Sequence, residues 1–294
     1  MKFRSTLNAA NLTALMFVLT LASCKKDITT TNNDSGAATL SDSSTSADNK
    51  YYDVLNNAFV ASSDNESVWN VSGARSGRTA VNGVNGEVPK LGCAIYAFDN
   101  NEPGVYPKTL TLNFGTGCVS ADGVTRKGKL IYLFDNPLFS PGSTVSVTFE
   151  NYVVNGYGLK GTYSISNKSS ELIGIQFTTQ VTNGIVTYPD NTNYHYSHNK
   201  IFTMTSGLAT PADISDDVYA ITGNSAFSNS SGASIVFTTT TPLVKAVACP
   251  NTSGGIVSFT YNDKVKGNID FGNGDCDNLA TITVGTISRT ITLR

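Results

Sequence analysis

The fold class of this chain is decided by residues 144–166, TVSVTFENYVVNGYGLKGTYSIS. Val, Phe, Tyr and Ile alternate there with smaller or polar residues on both sides of Asn155-Gly156, which is the pattern of two half-buried strands. An Asn-Gly pair readily adopts the positive φ angles that a two-residue hairpin turn requires. The stretch therefore predicts an antiparallel β-hairpin that turns at residues 155–156.

The same alternation continues on both sides of this hairpin. Runs such as 108–114, 234–240 and 255–261 are rich in β-branched and aromatic residues, and Asn183-Gly184 resembles a second turn. Strands do not alternate with helices, which disfavours a parallel α/β sheet. We expect an all-β fold over residues 91–294, a large antiparallel curved sheet or sandwich, with one short N-terminal helix.

The segment before this β domain divides into a polar part and a helical part. Residues 28–49 carry almost no large apolar side chains, so residues 24–49 are interpreted as a flexible tether. Residues 50–61 place apolar side chains at helical spacing, with Asp48 as the N-cap, and predict a short helix. The remainder of residues 50–90 is polar and predicts a loop.

The composition excludes several classes of function. The formal net charge is −2, whereas a phosphate-binding surface needs a basic excess, so no nucleic-acid partner is expected. Two His and one Trp leave little material for histidine-based metal or acid–base chemistry. We expect no cofactor.

The N-terminus is organised as an export signal. Lys2 and Arg4 precede an apolar run at 12–22 that is short for a membrane span. The run ends in LASC, residues 21–24, which resembles the lipobox of bacterial lipoproteins. The resemblance implies that residues 1–23 are a cleaved signal peptide and that Cys24 becomes the acylated N-terminus.

The polar stretch after Cys24 and the later Phe-Gly-x-Gly turns resemble those of lipoproteins of the Bacteroidota. That resemblance implies a protein of the outer membrane, anchored through its lipid and exposed at the cell surface. It implies no activity and no site residues.

Two stretches repeat one another around the remaining cysteines. LNFGTGC at 112–118 and IDFGNGDC at 269–276 share the order apolar-x-Phe-Gly-x-Gly before a Cys, and a further Cys lies upstream of each. We interpret residues 91–134 and 247–294 as two similar Cys-containing hairpin units.

Four cysteines in an oxidising compartment allow three disulfide pairings. The repeat selects Cys93–Cys118 and Cys249–Cys276. A metal site is the alternative, but the CxxC spacing typical of such sites is absent.

Two polar clusters are weighed as metal sites and set aside. Oxygen-bearing side chains crowd residues 270–278 and could bind Ca²⁺, but the EF-hand spacing is absent and the equivalent stretch at 113–118 lacks the acids. We therefore expect a turn there. His195 and His198 are three residues apart on a predicted strand, so they should point to opposite faces and not chelate a metal.

One segment combines aromatic rings with amides in a turn-like setting, as a sugar-binding surface does. Its candidate ligand-binding residues are Tyr188, Asn191, Asn193, Tyr194 and Tyr196.

No nucleophile motif is present, and no catalytic residue is assigned. We expect a non-enzymatic binding or structural protein of the cell envelope, with a glycan as the candidate ligand. One alternative is an extracellular hydrolase of the glycoside-hydrolase type, which would need two close carboxylates in a cleft; Glu150 and Glu171 are among the possible sources. Another alternative is a lipid carrier, which would need a large apolar cavity.

Overall fold

A computed structural model of the chain describes residues 28–64, 91–210 and 213–293. The predicted signal peptide 1–23, the acylation site Cys24 and most of the predicted loop, residues 65–90, lie outside the described residues.

The described residues form one antiparallel sheet of fourteen strands and one long helix, which confirms the all-β prediction. Strands that follow each other in sequence are hydrogen-bonded neighbours throughout, except that β2 pairs with β4 and the two-residue β3 pairs only with β4. The sheet is open, since β1 and β14 end the order of strands without pairing with each other in the part of the chain described. The elements are α1 Ile28–Asp64, β1 Ile95–Phe98, β2 Lys108–Asn113, β3 Cys118–Val119, β4 Thr125–Phe134, β5 Thr144–Val154, β6 Tyr157–Asn167, β7 Gln176–Thr187, β8 Asn193–Ser206, β9 Val218–Asn229, β10 Ser234–Ala246, β11 Gly254–Tyr261, β12 Val265–Asn273, β13 Leu279–Val284 and β14 Ile287–Thr292.

The two Asn-Gly pairs behave differently. Asn155 and Gly156 have φ angles of 48° and 85° and connect β5 to β6, so the predicted hairpin is confirmed. Asn183 also has a positive φ, 52°, but it lies inside β7, where the register with β8 shifts. The turn predicted at Asn183-Gly184 is therefore wrong, because the chain uses the left-handed residue for a β-bulge and continues as a strand.

Both predicted disulfides are confirmed. Cys93 is bonded to Cys118 with Cα atoms 6.0 Å apart, and Cys249 to Cys276 with Cα atoms 5.6 Å apart. Each disulfide joins the two ends of a segment that contains a pair of neighbouring antiparallel strands. These strands are β1 and β2 in the first unit and β11 and β12 in the second.

The repeated stretches also share their local geometry. Asn113 and Asp270 each accept a hydrogen bond at 2.9 Å from the amide of the Gly two residues ahead. Those glycines, Gly115 and Gly272, have φ angles of 60° and 88°, which favour residues without a Cβ. After the second Cys each unit adds a further strand, β4 beside β2 and β13 beside β12, and the first unit differs by its short β3, which pairs with β4.

The helix is much longer than the sequence predicts. It runs over Ile28–Asp64 and includes residues 28–49, so the tether prediction is wrong for that range. The prediction assumed that a segment without large apolar side chains cannot be buried. Here the sheet supplies the large apolar side chains, and small helix residues such as Ala37, Ser41 and Ala47 are fully buried against the core.

The sheet bends around the helix. Asp48 and Asp53 are five residues apart, so their side chains leave the helix in directions about 140° apart. Asp48 nevertheless pairs with Lys200 on β8 and Asp53 with Arg126 on β4, two strands of the same sheet. The helix therefore lies in the concave face of the sheet. Within the described residues no helix combines the length and apolarity needed to cross a membrane.

Candidate functional site

The carboxy-terminal part of the helix is clamped to β4 by a buried guanidinium. Arg126 has a fully buried side chain and bonds both Asp53 of the helix and Asp122 of the preceding turn, the latter at 2.8 Å through Nη2. Burial alone would lower the pKa of Arg126, but the two carboxylates raise it above its usual value. Tyr152 donates a hydrogen bond at 2.8 Å to Asp53, which completes the clamp.

A second buried cation holds the helix one and a half turns earlier. The ammonium of Lys200 lies 2.8 Å from Asp48 and 3.1 Å from the Tyr52 hydroxyl. Tyr196 donates a short hydrogen bond to the same Asp48 carboxylate and also contacts His198 at 2.9 Å. Burial lowers the pKa of Lys200, but Asp48 outweighs it and leaves the pKa raised, so the ion pair is stable in the core.

A cavity of about 560 Å³ lies beside the helix, between these clamps and the loop that follows β10. Its volume falls within the range of about 300–1,000 Å³ that is usual for small-molecule sites. One face of the helix forms the floor, and the walls come from turns before β4 and β6 and from the ends of β8, β9 and β10. Its lining residues are Asn49, Lys50, Tyr52, Asp53, Leu55, Asn56, Phe59, Asp122, Val124, Val154, Asn155, Phe202, Ser215, Tyr219, Lys245, Val247, Ala248, Cys249, Pro250 and Asn251.

The lining mixes aromatic rings with amide groups. Tyr52, Phe59 and Phe202 supply apolar surface, and four asparagines supply both hydrogen-bond donors and acceptors. Asn49 donates a hydrogen bond at 3.0 Å to Asn251, so these two amides are held in place before any ligand arrives.

Asn56, which lines the cavity, has a side-chain oxygen without a hydrogen-bond partner among the described residues. Its side-chain Oδ1 is buried and accepts no hydrogen bond from the described residues. A buried acceptor without a donor destabilises a fold by about 1–3 kcal/mol, so native proteins rarely keep one without a reason.

Asp53 and Asp122 both line the cavity, which is the close pair of carboxylates that a hydrolase would need. Glu150, in contrast, forms an exposed ion pair with Lys129 on the sheet, and Glu171 lies in an exposed loop. Both carboxylates bond the buried guanidinium of Arg126, so the pair anchors the helix to β4.

The aromatic segment 188–196 serves mainly the core. Tyr196 is only 2% exposed and Tyr194 stacks on Phe227, so both rings pack in the core; a ligand-binding role for Tyr188, Tyr194 and Tyr196 stays a prediction. Tyr188 is half-buried and donates a hydrogen bond to the carbonyl of Ser43 in the helix. The reason is register, because alternate residues of β8 face the helix.

The two amides of that segment remain at the surface. Asn191 has a φ of 67° in the β7–β8 turn, and the Asn193 side chain accepts a hydrogen bond from Thr187. A ligand-binding role for Asn191 and Asn193 stays a prediction.

The histidines and the acidic loop follow their predicted geometry. His195 is exposed and His198 is buried on the opposite face, where its Nε2 lies 3.0 Å from the Thr179 hydroxyl. Asp270 and Asp277 accept hydrogen bonds from backbone amides two residues ahead, as turn residues do. The described part of the chain contains no group of three or more His, Cys, Asp or Glu side chains placed to hold a metal ion.

The cavity residues escaped sequence reasoning because they come from distant segments. Asn49, Asn155 and Asn251 meet only after the sheet bends around the helix. The one usable signal was local: helix residues 49, 52, 53 and 56 lie on one face at helical spacing, and that face is polar except for Tyr52.

Comparison of the chain with protein-family models, with curated proteins and with solved structures gives no match.

Proposed function

We propose that this protein is a non-enzymatic lipoprotein of the outer membrane, anchored through acylated Cys24, which binds a short glycan in the cavity beside the helix. The observation that carries the proposal is a cavity of ligand size that is lined by four asparagines and by aromatic rings. Sugars offer many hydroxyl donors and apolar ring faces. Asparagine amides and aromatic walls complement both features.

The polarity of the cavity favours a glycan over a lipid as its occupant. Nine of its twenty lining residues are polar or charged, and these include Asn56, Asn155 and Asn251. An acyl chain in this cavity would strip water from those groups and return no hydrogen bonds.

Binding to purified protein tests the site. We expect a saccharide panel, measured by calorimetry, to contain ligands whose affinity falls about fivefold in Asn56→Leu, because a net hydrogen bond contributes about 1 kcal/mol. The same variant should be at least as stable as the parent protein, since it removes an unsatisfied acceptor.

The matched control is Asn193→Leu, which replaces an exposed amide of the 188–196 segment. It should leave saccharide affinity unchanged. A loss confined to Asn193→Leu would move the site to that segment, and a panel without any bound saccharide would overturn the glycan assignment.

The hydrolase remains the second candidate, because two carboxylates line the same cavity. Incubation with polysaccharides, followed by measurement of reducing ends, separates the two functions. Release of new ends that stops in Asp122→Asn would establish hydrolysis in place of binding alone.

The anchor is tested independently of the cavity. Cys24→Ala should abolish incorporation of labelled fatty acid and release the protein from the membrane fraction. Lipid labelling that persists in this variant would contradict the lipoprotein proposal.

A further inference from the structure

The first described part of the helix is buried with unusually small side chains. This amino-terminal segment, residues 34–48, lines a small gap with residues of β8–β12, and the helix as a whole also contacts β13. Ser41 and Ser44 are 0% and 1% exposed, and Ala37 and Ala47 are fully buried. A buried helix normally presents Leu, Ile or Phe to such a surface.

The opposing wall includes large apolar side chains. Phe237, Val257, Ile269 and Phe271 are all buried, and together with Ser44 they line a remaining gap of about 20 Å³. Such a gap holds one water molecule at most. Polar residues of β9 and β10, Asn224, Ser225 and Thr239, line the same gap, so the wall is mixed near Lys200 and apolar on β11 and β12.

Three hydroxyl groups of the segment, those of Ser41, Thr45 and Ser46, make no hydrogen bond to the sheet in the described residues. Ser41 Oγ is buried without a hydrogen-bond partner among the described residues. Thr45 and Ser46 donate their hydroxyls to the carbonyl of Asp42, within the helix itself. Such bonds slightly weaken a helix and add nothing to its contact with the wall.

The segment ends in a carboxylate on a buried cation. Asp48 receives Lys200 Nζ at 2.8 Å and the hydroxyl of Tyr196, while Lys200 itself is 5% exposed. Lys200 also lines the gap beneath Ser44, so the cation lies at one end of this wall.

The Asp48 carboxylate lies on Lys200, and the narrow surface of residues 34–48 extends from it along the sheet. A fatty acid has the same order of groups, a carboxylate followed by a narrow chain. We propose that a long-chain fatty acid binds here in place of the amino-terminal segment, with its carboxylate on Lys200 and Tyr196 and its chain along β10–β12. The clamp between Asp53 and Arg126 keeps the rest of the helix in position during the exchange. This site is distinct from the glycan cavity and does not depend on it.

The decisive variant is Asp48→Asn, which removes the competing carboxylate with little change in shape. Calorimetry with palmitate should show at least a tenfold gain in affinity over the parent protein. The double variant Asp48→Asn/Lys200→Met removes both charges and should lose that gain. Glu150→Gln, which breaks an exposed ion pair on another part of the sheet, is the matched control and should bind as the parent does.

Hydrogen exchange on the parent protein tests the displacement without any substitution. Saturating palmitate should accelerate amide exchange over residues 34–48 and leave residues 51–62 protected. Hexadecanol, which lacks the carboxylate, should leave the amide exchange rates of residues 34–48 unchanged. The proposal is overturned if palmitate leaves residues 34–48 as protected as before, if folded Asp48→Asn binds no more tightly, or if hexadecanol matches palmitate.

Discussion

The two halves of the helix are buried to a similar extent but are held in different ways. Residues 49–62 insert Tyr51, Leu55 and Phe59 among the aromatic rings of the sheet and add the ion pair of Asp53. Residues 34–48 insert mostly Ser, Thr and Ala, and Asp48 adds an ion pair with Lys200 of the sheet. Burial alone therefore does not measure how strongly a segment is held.

The difference has a physical basis in apolar area. Full burial of a Leu or Phe side chain contributes about 1.5–3 kcal/mol, and a buried hydroxyl without a partner opposes folding by about 1–3 kcal/mol. The carboxy-terminal half is stabilised by burial of large apolar side chains. The amino-terminal half is destabilised by a buried hydroxyl without a partner among the described residues, that of Ser41.

The largest expected effect comes from Phe59→Ala. Phe59 is 3% exposed and contacts the rings of Phe139, Phe177 and Tyr219. Its truncation should lower the free energy of unfolding by about 3–5 kcal/mol in denaturant titrations. Ser44→Ala, at an equally buried site of the other half, should change it by less than about 0.5 kcal/mol. Similar losses in the two variants would abolish the comparison.

Asp53→Ala comes next. It leaves the buried Arg126 with Asp122 as its remaining carboxylate, and should lower the free energy of unfolding by about 3 kcal/mol. Asp122→Ala, at a side chain that is 21% exposed, should have less than half that effect. Equal losses would show that the clamp does not fasten the helix.

The pH dependence of stability reports on His198, which lies on β8 close to Lys200, where the two halves of the helix meet. Burial, with the nearby Lys200 adding to it, lowers the pKa of His198 well below its usual value. Below about pH 6.5 the His198 imidazole therefore binds a proton in the unfolded chain but stays neutral in the folded chain. Stability should fall as the pH drops below about 6.5, by up to about 1.4 kcal/mol per pH unit.

Denaturant titrations between pH 5 and 7 measure this slope, in a range chosen to lie above most carboxylate titration (about pH 4). His198→Gln should flatten it, and His195→Gln, at an exposed position on the other face, should leave it as in the parent protein. A slope that survives in His198→Gln would assign it to another group.

The smallest effect is a gain. Ser41→Ala removes a buried hydroxyl without a partner and introduces a better helix former, so the free energy of unfolding should rise by about 1 kcal/mol. Thermal melting of the two proteins measures it. A loss of stability would mean that the Ser41 hydroxyl has a stabilising partner after all.

The sequence alone was sufficient for the features that depend on neighbouring residues. Alternation along 144–166 specified the strands, Asn155-Gly156 specified their turn, and the repeat of Phe-Gly-x-Gly before Cys118 and Cys276 specified both disulfides. The strands and the turn depend on local backbone preferences, which a chain carries wherever it folds, and the disulfide pairing followed from the internal repeat.

The tertiary structure decided whatever depends on the partner surface. The polarity of residues 28–49 indicated a tether, yet they form a helix, and the concave sheet buries many of residues 34–49 because its own strands provide the apolar area. Tyr196 had the chemistry of a ligand contact, but it bonds to Asp48, 148 residues away in the chain. Burial is a property of two surfaces, and the sequence pattern of one segment describes only its own side.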